Sequence, residues 1–168
     1  RSPLSPPIEA FWRRLERTAK AELRAKGGLD LPKPVLVDAT PRAESAVCRA
    51  LLARIFGPRL RVHCIASRGR MRGARRVVPT NLDRENALAL EEMMGRPATK
   101  EPVLRLFASI READIVQAAA LLGVRARPRS LHPILAALER RHPAASFAVA
   151  KTASALRAQG ALGRRSAK

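Results

Sequence analysis

Residues 34–52 read PVLVDATPRAESAVCRALL, and the fold is decided in this stretch. Pro34 leads a short run, Val35, Leu36 and Val37, with no polar alternation, as in a strand buried on both faces. A connector at 39–43 follows. Val47, Leu51, Leu52 and Ile55 then recur at the spacing of one helix face, and Gly57-Pro58 ends the pattern. Residues 60–66 (LRVHCIA) form a second apolar run. Strand, helix and strand in that order predict a right-handed crossover between parallel strands, hence the α/β class.

Upstream, residues 1–7 (RSPLSPP) hold three prolines and are expected to form an extended arm. A helix is predicted over 8–26, with Ile8, Phe11, Trp12, Leu15, Ala19 and Leu23 on one face and Arg13, Arg14, Arg17, Lys20 and Arg24 on the other. Downstream, 77–80 is a very short third strand, and a helix runs over 83–94 with Asn81 or Asp83 as its cap. Residues 102–106 are extended. Ser109, with Glu112 three positions on, is the capping-box start of a helix over 109–122. Two more helices are expected over 131–141 and 146–159. The whole reads as α/β, a reduced three-layer fold with a short parallel sheet and a helical C-terminal half. One domain is expected over 8–157, with a basic tail over 158–168.

The charge is extreme. Lysine and arginine number 33 against 14 acidic residues, a net +19 on 168 residues. Such a charge repels itself, and a polyanion relieves the repulsion. Arginine supplies most of the excess, and its planar fork suits phosphate better than a lysine point charge. Aromatics are only 3% of the chain, so RNA contacts are expected at phosphate and sugar rather than on stacked bases. The densest basic segment is 67–76 (SRGRMRGARR), carrying Arg68, Arg70, Arg72, Arg75 and Arg76. Further candidates are Arg125, Arg127 and Arg129, then Arg140 and Arg141, then Arg164 and Arg165. RNA is thus the expected partner, together with other protein subunits. No apolar run is long enough for a membrane helix, and no small-molecule substrate or cofactor is expected. Cys48 and Cys64 lack metal-site spacing, and His63, His132 and His142 form no ligand pattern, so no metal site is expected.

The connector after the first strand, with the helix start beyond it, is where α/β proteins hold phosphate. Thr40, Pro41, Arg42, Ala43, Glu44 and Ser45 occupy it. They resemble the phosphate loop of the N-type ATP pyrophosphatase (PP-loop) superfamily, whose SGGxDS motif follows a buried strand. Glu44 keeps the acidic position and Ser45 the hydroxyl, while Pro41 and Arg42 stand where the family has glycine. Residues 78–87 (VPTNLDRENA) resemble the second signature, GHNLDDxAET, through Asn81, Leu82 and Asp83, with Arg84 in place of its second aspartate. Residues 101–124 are similar to the RPLRxxxExEIxxYAxLLGI stretch through Pro102, Leu104, Arg105, Glu112, Ile115, Leu121, Leu122 and Gly123. Residues 132–156 are similar to the C-terminal helices of tRNA-thiolating members.

The departures share one direction. Glycines let the backbone approach a pyrophosphate with its N–H groups free, and Pro41 has no N–H. Such losses imply a pseudoenzyme with a degenerate nucleotide loop at Thr40, Pro41, Arg42, Glu44, Ser45, Asn81 and Asp83. The nearest branch is the cytosolic tRNA thiouridylase subunit 2 type. The expectation is therefore a non-catalytic RNA-binding structural subunit of a ribonucleoprotein, a mitochondrial ribosome in the mitochondrial matrix. The alternative is a non-catalytic tRNA-binding subunit of a cytoplasmic tRNA 2-thiolation complex.

Overall fold

A computed structural model of the chain describes residues 5–29, 33–66, 71–95 and 104–159. In chain order the elements are α1 (Pro6–Ala25), β1 (Val35–Asp38), α2 (Arg42–Phe56), a 3-10 turn (Gly57–Arg59), β2 (Val62–Ile65) and β3 (Arg75–Pro79). Then come α3 (Leu82–Met93), β4 (Leu104–Leu106), α4 (Glu112–Leu121), α5 (Pro133–Arg141) and α6 (Ala145–Ala158). The four strands are all parallel in the order β2-β1-β3-β4. This is the α/β class with a short parallel sheet, consistent with a reduced three-layer fold.

The chain packs as two compact units. The first comprises Arg1–Asn81 and Val103–Pro128, the second Leu82–Pro102 and Arg129–Lys168. In the first, β1 is buried at all four positions, as its unbroken apolar run requires. Val35 and Val37 meet Val77, Leu104 and Leu106 on the face packed by α1, α2 and α4. Those helices contribute Trp12, Leu15, Ala19 and Leu23, then Val47, Leu51 and Leu52, then Ile115, Ala118 and Ala119. Strand alternation turns Leu36 and Asp38 to the opposite face, where both are also buried.

Pro6 and Pro7 open α1 rather than extending the arm, because the first helical positions have no use for an amide proton. The start of α4 also differs from expectation. Ser109 does not cap it; the helix begins at Glu112 with Arg111 at the cap and no side-chain bond there. The reason is Glu22, buried on α1, whose carboxylate accepts the Phe107 N–H at 2.6 Å and the Ser109 N–H at 2.5 Å. With its amide held by α1, Ser109 stays in a turn closed by Ile110 N–H on the Phe107 carbonyl. Phe107 takes a φ of 79° there while its ring is fully buried.

The second unit is helical. Among its residues α6 packs on α3 and α5 around Leu82, Ala89, Leu135 and Ala153. Asn86 Nδ2 donates to the Ser146 carbonyl at 2.8 Å, and Arg157 joins Glu92 at 2.9 Å. His132 caps α5, its ring nitrogen accepting the Ile134 N–H.

Candidate functional site

The carboxyl ends of β1 and β3 and the start of α2 form the crevice where an open parallel sheet binds ligands. Here β1 ends at Asp38 and α2 begins at Arg42, so only Ala39, Thr40 and Pro41 connect them. The Ala39 N–H is spent on the Ile65 carbonyl, 2.8 Å away. Pro41 stands at the helix cap without an N–H and without a side-chain cap bond. Thr40 and Arg42 are exposed, while Glu44 and Ser45 are buried in the first turn. Extending the β1–β3 register past Val37 and Val77 places Thr80 beside Thr40, with buried Asn81 next. The Thr80 hydroxyl is buried with no partner among the described residues. Asp83 belongs to α3 in the second unit.

A nucleotide phosphate fits this loop poorly. The N-terminus of α2 keeps the positive end of the helix dipole, and the Thr80 hydroxyl is one donor in need of an acceptor. Against that, the connector offers the Thr40 N–H and no glycine. The cradle that glycines make by close backbone approach is missing.

The arginine segment divides. Arg68 and Arg70 lie outside the described residues, as do Arg164 and Arg165. Arg72 is exposed in the turn at 71–74. Arg75 and Arg76, expected in the basic loop, belong instead to β3. Arg75 reaches the carbonyls of Gly28 at 2.6 Å and Lys26 at 2.9 Å, holding the end of α1. Arg76 pairs bidentately with Asp38, Nε to Oδ1 and Nη2 to Oδ2, both at 2.9 Å. Both guanidinium groups are thus engaged inside the protein. Arg125 and Arg127 are exposed, alternating with Val124 and Ala126, which pack on the core. Arg129, Arg140 and Arg141 are exposed in the second unit.

The charge is unevenly shared. The first unit carries 22 basic and 8 acidic residues, a net +14, and the second 11 and 6, a net +5. Among the described residues no group of three His, Cys, Asp or Glu is placed to hold a metal ion. No described helix is long and apolar enough to cross a membrane. Of the two cysteines, Cys48 is buried and Cys64 exposed. Burial pushes the Cys48 thiol far up, with Cys64 adding to the shift.

No family model matches the sequence, and no curated protein is similar to it. The fold does have a match among solved structures, the U34-tRNA thiolase NcsA from Methanococcus maripaludis, solved with its 4Fe-4S cluster. The TM-score is 0.58 at 15% identity, over 88% of this chain and 79% of the thiolase. This chain shares that fold, in keeping with the PP-loop resemblance of its sequence. It does not share the means to hold such a cluster: iron–sulfur clusters need several thiolates, and here one of only two cysteines is sealed in the core.

Proposed function

We propose that this chain is a non-catalytic RNA-binding subunit of a larger assembly, built on a PP-loop type of fold. The observation that carries the proposal is the connector between β1 and α2. There, Pro41 stands at the helix cap, and no glycine brings the backbone against a pyrophosphate. A site that cannot grip a nucleotide leaves the net +14 of the first unit as its main chemical property, and RNA is the ligand that property suits. The fold shared with a tRNA thiolase supports tRNA as the RNA, and a tRNA 2-thiolation complex as the assembly. In that reading the chain holds tRNA for an active partner subunit in the cytoplasm.

A second reading, a structural subunit of a mitochondrial ribosome, draws on the small size and the high arginine content. Affinity purification of the full chain separates the two. Co-purifying tRNA with a thiolation partner is expected, whereas co-purifying ribosomal subunits would establish the second reading. Nucleotide binding tests the non-catalytic half: calorimetry with magnesium-ATP should give no heat of tight binding. Tight, magnesium-dependent binding would overturn it.

A further inference from the structure

The sheet ends on one side at β2, which pairs with β1 alone among the described strands. From the end of the 3-10 turn into β2 the chain alternates. Leu60 is buried and Val62 half-buried against the core, while Arg59, Arg61 and His63 are exposed. In the extended stretch after the turn, such alternation puts Arg61 and His63 on one outward face, and exposed Arg59 precedes them at the end of the 3-10 turn. None of the three side chains has an ion pair or hydrogen bond with any described residue, unlike Arg54, Arg75 and Arg76, whose side chains are all engaged. Across the sheet from His63 the next residues are Leu36 and then Arg76, whose charge Asp38 neutralises. Arg59 and Arg61 are therefore uncompensated positive charges among the described residues of this edge, and the arginine-rich segment 67–76 follows shortly after in sequence.

We infer that the row Arg59, Arg61 and His63 along the β2 edge is a contact surface for the phosphate backbone of RNA. The inference rests on the RNA-binding reading above and gives it a location that the arginine-rich segment alone does not. Charge complementarity chooses the occupant. Two free guanidinium groups suit phosphates, and like charges along an edge strand resist the addition of another sheet. Neither arginine is needed for the fold, since both are exposed and unbonded, so they are free to serve a ligand.

The test is the salt dependence of oligouridylate binding by the full chain and by R59A/R61A. Each phosphate contact contributes roughly 0.7 to the slope of log affinity against log salt for a single strand, so the double variant should lose about 1.4. R59K/R61K, which keeps the point charges, should retain the slope. Far-ultraviolet dichroism and thermal melting should be unchanged in both variants. Wild-type binding with an unaltered slope in R59A/R61A would overturn this edge as the surface while leaving the RNA reading intact. Absence of any salt-dependent binding by the wild type would overturn both. Stronger competition by polyglutamate than by oligouridylate of equal charge would assign the edge to an acidic protein and overturn the inference.

Discussion

Arg76 and Asp38 form a bidentate ion pair across neighbouring strands, with the aspartate side chain only 6% exposed and the arginine 21%. Removing one member leaves the other charge poorly solvated. R76A is expected to destabilise the first unit by about 2–4 kcal/mol, near the lower end for a broken buried pair because the arginine keeps some water. Chemical denaturation measures this. The salt slope of RNA binding should not change, and a fall of the slope in R76A would place this arginine on the RNA.

Glu22 is the acceptor that sets the turn after β4. E22A strands the buried Phe107 amide and the part-buried Ser109 amide and should cost about 2–4 kcal/mol, while E22Q keeps an acceptor oxygen and should cost less. Amide hydrogen exchange at Phe107 and Ser109 reports on the cause directly. Both amides should lose protection in E22A before α2 does.

A hydrogen bond from Arg54 at 3.0 Å holds the Glu9 carboxyl below its ordinary value of 4.5, with Arg13 adding to it. A lowered folded-state value means a stabilising contribution that is complete above pH 4.5 and lost as the pH falls through the folded-state value. Wild type and E9Q should therefore differ in thermal midpoint near neutrality and converge as the pH falls well below 4.5. A difference that persists unchanged into acid would remove the ion pair from the explanation. Arg54 also bonds Glu16 at 2.5 Å and lies 5.5 Å from the Trp12 ring centre, so R54A should cost more than E9Q.

The two thiols should separate cleanly. Cys64 is exposed and Cys48 sealed in the core with its thiol shifted up by burial. A thiol reagent at neutral pH should label one cysteine in the native protein and two in denaturant. Equal native labelling of both would contradict the packing of α2 on the sheet.

The sequence made β1 and α2 legible because their patterns are local: an unbroken apolar run, then one helical face ended by Gly57-Pro58. The short connector between them was legible in the same few residues, 38–45. What stayed hidden depended on distant partners. Arg75 and Arg76 look like loop residues in sequence, but their backbone pairs with β1 and their side chains are held by Asp38 and the carbonyls at the end of α1. Ser109 carries a good capping pattern, yet its amide belongs to a carboxylate 87 positions away. Local propensity loses such contests when a buried charge needs its donors. The row at Arg59, Arg61 and His63 did leave a signal, the period-two alternation of RLRVH, but it is only as long as the strand itself.

The first unit is discontinuous, and this bears on how the chain is made. Its sheet and apolar core draw Leu104, Leu106, Phe107, Ile110, Ile115, Ala118 and Ala119 from beyond the residues that enter the second unit. When synthesis has reached Asn81, three strands with α1 and α2 have been made, but the part of their core that β4 and α4 supply has not. The part of the first unit up to Asn81 must wait, with its core incomplete and strongly cationic, until the stretch ending near Pro128 emerges. Nascent chains halted before that point should be held by chaperones or by polyanions, and released once the missing helix α4 arrives.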